Sequence, residues 1–96
     1  MTPESRARLE ALGVVLRAYE LHASMTEDGL RVVNPAVAGC CGAHPSDVIS
    51  VRAREEDGGR AWFFTSWRHP IAEAERVVDA VMAIRDLLDG APGVAR

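Results

Sequence analysis

The chain has 96 residues, of which 48% are hydrophobic and 26% charged, and its formal net charge is −3. This balance predicts one small globular domain spanning residues 1–96 and excludes disorder of the whole chain. The negative charge argues against a nucleic-acid-binding module, which usually carries a basic face. No apolar run approaches the roughly 20 residues that a membrane span needs, and no signal-peptide pattern follows Met1. We therefore expect a cytoplasmic protein with no membrane association.

The N-terminal segment predicts a helix whose end is ambiguous. Thr2 can cap this helix, and Pro3 suits its first position. The spacing of the apolar side chains allows the helix to continue to about Ala23, whereas Gly13 could end it earlier as a left-handed C-cap. We favour the earlier end, which makes residues 14–21 a strand rich in Val, Leu and Tyr.

Three further segments have the composition of strands, at residues 30–33, 47–55 and 60–67. Acidic residues followed by glycine predict tight turns at residues 26–29 and 56–59, and the second turn joins the last two strands into a hairpin. Residues 36–46 contain two glycines and one proline, and they predict a long loop.

The C-terminal part predicts a second helix. Arg68-His69-Pro70 ends the preceding strand, and apolar side chains then recur at helical spacing from about Ala72 to Leu88. Gly90 predicts the end of this helix, and residues 91–96 a disordered tail. The predicted order is α-β-β-β-β-α. We expect an α+β two-layer sandwich, in which an N-terminal and a C-terminal helix flank a four-stranded antiparallel sheet.

The last predicted strand contains an unusual aromatic run. Neighbouring side chains of a strand point to opposite faces, so Trp62 and Phe64 share one face and Phe63 and Trp67 share the other. If the helices cover one face of the sheet, the second face remains apolar and exposed. Exposed apolar patches on small proteins commonly mark interfaces.

Three possibilities remain open for the second aromatic face. The 36–46 loop or the first helical region could fold over it, a second copy of the chain could cover it, or it could form a groove for a peptide or ligand. Tyr19 is a further interface candidate, since tyrosine and tryptophan are frequent interface anchors. The leading hypothesis is a non-enzymatic interaction or accessory protein, either a homodimer or a module that binds a protein partner through its aromatic sheet.

Cys40, Cys41 and His44 form a cluster of metal-ligating residue types. Adjacent cysteines rarely meet disulfide geometry, and zinc sites usually use spaced cysteine pairs. A Cys–His nucleophile would need a lowered thiol pKa and a third, orienting group. We therefore predict no metal, no cofactor and no enzymatic activity. The alternative hypothesis is a small-molecule or metal-binding module that uses this loop.

Two other functions are disfavoured by the residues themselves. Ser66 lies close to Arg68 and His69 in sequence, but it lacks the Gly-x-Ser-x-Gly elbow of a nucleophilic serine. A long first helix would give the element order of double-stranded RNA-binding domains, whose second helix begins with lysines. Here Glu73 and Glu75 occupy that position and would repel phosphate.

Three segments together resemble a group of small uncharacterised actinobacterial proteins that are often encoded near helix-turn-helix regulators. The segments are Val32-Val33-Asn34-Pro35, the run from Trp62 to Trp67, and Pro70-Ile71. That group shows Val-x-Asn-Pro, a Trp-Phe-rich strand closing in Ser-Trp-Gly, a Pro-Ile pair and an alanine-rich last helix. The resemblance covers roughly residues 9–88 and implies a first helix ending near Gly13 and a regulatory accessory role, but no enzymatic activity. Arg68 departs from the pattern, because glycine is usual there, and the loop with the two cysteines looks longer.

Overall fold

Two helices and an antiparallel sheet form an α+β fold in the computed structural model, which describes residues 2–36 and 44–88. The elements in chain order are α1 (Pro3–Ala18), β1 (His22–Met25), β2 (Leu30–Val33), β3 (Ser46–Arg54), β4 (Arg60–Phe64), β5 (Pro70–Glu73) and α2 (Val77–Leu87). The predicted fold class, with one helix on each side of the sheet in sequence, is therefore confirmed. The predicted strand number is wrong, because the sheet has five strands among the described residues instead of four.

The five strands lie in sequence order as an antiparallel meander. β3 is the longest, and it pairs with its two neighbours over different parts of its length. β2 pairs with the first half of β3, from Leu30 opposite Ile49 to Val33 opposite Ser46. β4 pairs with the second half, from Ser50 opposite Phe64 to Arg54 opposite Arg60. β3 is therefore the strand that joins the two halves of the sheet.

The core lies between the two helices and one face of the sheet, which we call the inner face. α1 supplies Leu9, Leu12 and Leu16, all almost completely buried. Alternate strand residues meet them, and the fully buried ones are Leu30, Val32, Ile49 and Phe63. α2 adds Ala80, Val81 and Ile84 to the same cluster. Period-2 burial in the strands and helical-period burial in α1 and α2 are what a two-layer sandwich requires.

The first helix does not end at Gly13, so the predicted strand over residues 14–21 is wrong. α1 continues to Ala18, and the first strand begins only at His22. Gly13 is buried inside the helix with ordinary helical φ, and a Cβ at this position would lie 3.5 Å from Leu30 Cδ1 and 3.7 Å from Ala23 Cβ. Gly13 is therefore an interior residue of α1 and not a C-cap. The start of the helix matches its prediction, since Thr2 Oγ1 accepts the Ser5 N–H at 3.1 Å.

The segment after the aromatic run also differs from its prediction. Pro70 begins β5, which pairs with β4, and α2 starts at Val77 instead of near Ala72. A proline is tolerated at the first position of an edge strand, because no ladder hydrogen bond is lost there. β4 itself ends at Phe64, and the following residues form the turn to β5, so the predicted last strand over residues 60–67 was too long.

The predicted turns at residues 26–29 and 56–59 can be compared with the structure, whereas most of the other predicted loop residues cannot. The Thr26–Gly29 turn joins β1 to β2, and Gly58 and Gly59 take positive φ after a short 3₁₀ turn at Glu55–Asp57. Most of the predicted 36–46 loop and the whole predicted 91–96 tail lie outside the described residues. Ser46, the last residue of that loop, already belongs to β3.

Candidate interaction surface

The face of the sheet that points away from both helices, here called the outer face, contains the residues that alternate with the core. Strand pairing brings them side by side in rows, for example Arg31 opposite Val48 and Arg52 opposite Trp62. From β1 to β4 the outer face consists of His22, Ser24, Arg31, Val33, Ser46, Val48, Ser50, Arg52, Arg54, Arg60, Trp62 and Phe64. The helices contact the sheet from the inner side, and the outer residues take no part in the core.

Four apolar side chains on this face are only half-buried, and we call them the outer patch: Val33, Val48, Trp62 and Phe64. None of the four belongs to the buried core or to the apolar side chains packed against it. Half-exposed valine and aromatic side chains grouped on one sheet face make the kind of surface that partners cover. The outer patch therefore has the composition of an interface centre.

Trp62 is held in place by two neighbours on the outer side. Its indole N–H donates to Asp57 Oδ2 at 2.8 Å, and the Arg54 guanidinium lies 4.3 Å from the ring centroid. Arg54 in turn contacts Glu56, with 3.4 Å between Nε and Oε2. A fixed indole with one ring face covered by a cation offers its edge and remaining surface for packing, while a nucleobase would need an open ring face.

The outer patch is bordered by arginines that have no acidic partner. The guanidinium groups of Arg31, Arg52 and Arg68 make no hydrogen bond or ion pair with any residue of the described part of the chain. A hollow on this side lies between Arg52 and Arg68, with Val48 and Ser50 on its floor and Asp28 at its rim. Although the whole chain is acidic, this face is locally basic.

The predicted aromatic surface is thus divided between three environments. Trp62 and Phe64 lie on the outer face together, as the alternation indicates. Phe63 is fully buried and belongs to the core, so it is not available to a partner. Trp67 lies in the β4–β5 turn, is 64% exposed, and stacks on His69 with ring centroids 5.7 Å apart. Tyr19 is the C-cap residue of α1 and is exposed, and it is not part of the outer-face strands.

The β4–β5 turn is built by Thr65, Arg68 and His69. Thr65 accepts the Arg68 N–H at 3.0 Å, and its Oγ1 accepts the His69 N–H at 3.0 Å. Arg68 has φ of 64°, the left-handed region in which glycine is favoured. Ser66 donates its backbone N–H to Asp47 Oδ2 at 3.3 Å, and its side chain is exposed with no hydrogen bond from a described His or Arg. The turn is a structural element without the geometry of a nucleophile.

The alternative site at Cys40, Cys41 and His44 stays a prediction. Both cysteines lie outside the described residues, and His44 is exposed. Within residues 2–36 and 44–88 no group of three His, Cys, Asp or Glu side chains is arranged to hold a metal ion. In the same ranges no helix is long and apolar enough to cross a bilayer.

The sequence analysis missed the basic part of the surface. The alternation of β3 already separates Ser50, Arg52 and Arg54 from the apolar residues between them, and this pattern was the available signal. The cross-strand neighbour of Arg52, which is Trp62, depends on the register and could not be read from either strand alone.

Comparison with known proteins gives no relative, since no family model, no curated protein and no solved structure matches this chain.

Proposed function

We propose that this chain is a non-enzymatic cytoplasmic accessory protein that acts by binding another protein through the outer face of its sheet. The observation that carries the proposal is the outer patch, because both helices pack on the opposite face and leave Val48, Phe64 and Trp62 half-exposed. Interface centres are enriched in aromatic residues and arginine, and the outer face combines both.

The charges on this face favour a different protein over a second copy. A symmetric dimer formed face to face would bring Arg31, Arg52 and Arg54 of one copy against the equally basic face of the other. Like charges brought together at an interface cost several kcal/mol, about enough to offset the gain from a small apolar patch. A partner with acidic residues around an apolar centre would neutralise Arg31 and Arg52, which have no acidic partner within the described part of the chain.

Fluorescence quenching tests whether the outer face is open. The chain has two tryptophans, so Trp67→Phe leaves Trp62 as the sole reporter, and Trp62→Phe leaves the exposed Trp67 as the matched reference. We expect acrylamide to quench Trp62 clearly, though less than Trp67. Complete shielding of Trp62 in a monomer would contradict the proposal, because another part of the same chain would then cover the patch.

A pair of matched variants tests whether the patch binds a protein. Phe64→Ser lowers the apolar area of the outer patch, and Val78→Ser removes an apolar side chain that is 55% exposed on α2. We expect a partner cross-linked to the tagged wild-type chain in cells to be lost with Phe64→Ser and retained with Val78→Ser. Equal retention would overturn the outer-face assignment. Mass measurement by light scattering completes the test, since a dimer that Phe64→Ser dissociates would show a second copy as the occupant.

A further inference from the structure

Among the described residues, the second half of β3 has a neighbouring strand on one side only. β2 begins at Leu30, opposite Ile49, whereas β3 continues past Ile49 to Arg54 along β4. Beyond Leu30 the chain turns away at Gly29, whose backbone lies against the Ile49 carbonyl. The side of β3 from Ser50 to Arg54 that faces away from β4 is therefore an unfilled strand position, in line with β2.

The backbone groups that point into this position can be identified from the ladder. In an antiparallel sheet, alternate residues direct both N–H and C=O to the same neighbour. The Pro45 carbonyl accepts from Asn34 on the β2 side, while the Arg54 carbonyl accepts from Gly59 on the β4 side. Odd-numbered residues of β3 thus point toward β2. It follows that Val51 and Ala53 direct their N–H and C=O groups into the unfilled position.

A surface hollow coincides with this position. It is bounded by Thr2 and Ser5 in the first turn of α1, by Asp28 in the β1–β2 turn, and by Ser50 and Val51 of β3. No hydrogen bond from the described part of the chain reaches the backbone of Val51 or Ala53 on this side. The hollow therefore gives an incoming strand both open ladder groups and flanking walls.

The two outer edges of the sheet are protected, in contrast. On β1 the Ala23 carbonyl accepts both Nε and Nη2 of Arg17, at 3.2 and 2.9 Å. On β5 the first residue is Pro70, which has no N–H to donate, and a register shift interrupts the pairing with β4. Proteins commonly block edge strands in these ways to prevent unwanted pairing. Within the described residues, no side-chain hydrogen bond and no proline protects the open side of β3 in the same way.

We propose that the unfilled position beside Ser50–Arg54 binds an extended segment of a partner protein, which adds to the sheet as a strand. Such a segment would exchange ladder hydrogen bonds with Val51 and Ala53, as in other cases of strand addition. Its residue opposite Val51 is apolar, because Val51 faces the inner side and packs against the core. The residue opposite Arg52 is acidic, since Arg52 has no partner within the described residues. This inference is independent of the outer patch, because it concerns the edge of one strand.

The charges around the unfilled strand position favour a partner segment over a second copy of the chain or a nucleic acid. Strand addition by a second copy, in the two-fold register that pairs Val51 with Ala53 of the other copy, would place Arg52 directly opposite its own counterpart, and like charges in that arrangement are destabilising. Glu27 and Asp28 line the end of the hollow beside the turn, so the acidic residue of the segment belongs in the middle and not at that end. A single-stranded nucleic acid is also disfavoured, since it would bring a phosphate close to Asp28.

Amide hydrogen exchange on the free protein gives the first test. We expect the Val51 and Ala53 N–H groups to exchange about tenfold faster, or more, than the Ile49 N–H, which lies within the β2–β3 ladder. Exchange as slow as that of Ile49 would overturn the proposal, because the position would already be filled by the chain itself. Slowing that depends on protein concentration would identify a second copy instead of a partner segment.

A defined peptide gives the second test. The probe is a synthetic octapeptide with blocked ends, in which valine alternates with threonine and a central aspartate, and its matched control carries lysine in place of aspartate. We expect the aspartate peptide to slow exchange at Val51 and Ala53 and to bind about tenfold more tightly than the lysine peptide. Arg52→Glu should reverse that preference. Equal binding of the two peptides, or no effect on these two amides, would overturn the proposal.

Two modifications verify that the peptide pairs with the backbone. Ala53→Pro deletes an N–H that points into the position without removing a bond to β4, and we expect binding to weaken about tenfold. N-methylation of the peptide at alternate residues deletes the matching donors without changing the protein, so it remains informative if Ala53→Pro unfolds. Unchanged binding of the N-methylated peptide would contradict strand addition. An oligothymidine that displaces the peptide equally from wild type and Ala53→Pro would point to nucleic acid and overturn the proposal.

Discussion

The two faces of the sheet are built from the same strands but have different chemistry. The inner face presents Leu30, Ile49 and Phe63 to the helices, all with no measurable exposure. The outer face alternates apolar with basic side chains, and Val48 and Phe64 there are only half-buried. Because adjacent residues serve the two faces, this chain allows stability and binding to be tested by substitutions one position apart.

The largest expected contrast is between Phe63 and Phe64. Phe63→Ala removes a fully buried ring and should lower the free energy of unfolding by about 3–5 kcal/mol. Phe64→Ala removes a half-exposed ring and should cost about 1 kcal/mol or less. Urea unfolding followed by circular dichroism measures both. Equal losses would mean that the outer face is as tightly packed as the inner one, and they would contradict the difference between the two faces.

The sequence could predict the elements with strong local signals. Thr2 and Pro3 located the start of α1, and the strand over residues 30–33 was predicted with its final bounds. Gly13 was misinterpreted because a glycine inside a helix and a glycine after a helix look the same in the sequence. Only the packing of Leu16 into the core shows that α1 continues past Gly13.

The candidate site could be predicted only in part. Alternation placed Trp62 and Phe64 on one face, and this is correct. Which face the helices cover is set by long-range packing, so the burial of Phe63 could not be derived from its strand. Pro70 hid the fifth strand, because proline is a sign of a break except at the start of an edge strand. Trp67 was assigned to a strand that ends before the turn.

Substitutions at two glycines test how closely the neighbouring backbone packs against the sheet. Gly29 has φ of 151°, and a Cβ there would collide with the Ile49 carbonyl oxygen. Gly29→Ala should therefore lower the free energy of unfolding by about 1–3 kcal/mol, because the turn that precedes β2 must shift. Thermal unfolding measures the loss. A neutral result would show that the turn can move away from β3 and that the unfilled strand position is not fixed in shape.

Gly13 should respond in the opposite direction. A Cβ at Gly13 would make ordinary contacts, 3.5 Å from Leu30 Cδ1 and 3.5 Å from Arg17 Nη2. Because alanine is favoured over glycine inside a helix, Gly13→Ala should raise the free energy of unfolding by about 1 kcal/mol. The same unfolding measurement serves as the check. A loss would show that the inner face has no room even for one methyl group.

Arg68 allows stability and charge to be separated on the outer side. Its left-handed backbone is unfavourable for a residue with a Cβ, so Arg68→Gly should stabilise the protein by about 1 kcal/mol. Arg68→Asn, which tolerates this conformation better than most residues, separates the loss of charge from the gain in backbone freedom. If Arg68→Gly is destabilising, the side chain must make contacts that outweigh the strain.

The smallest expected effect concerns the hydrogen bond between Trp62 and Asp57, which fixes the outer patch. Asp57→Ala removes the acceptor of the indole N–H and should lower the free energy of unfolding by about 1 kcal/mol, while Asp57→Asn keeps an acceptor and should lose less. In a Trp67→Phe background, Trp62 emission should respond to Asp57→Ala more than to Asp57→Asn. A partner that packs against a fixed indole would then bind Asp57→Ala more weakly than the small change in stability predicts, since the ring must be ordered during binding. If Asp57→Ala weakens binding no more than its loss of unfolding free energy predicts, the fixed position of the indole does not contribute to binding. Trp62 would then be a structural residue and not part of the interface.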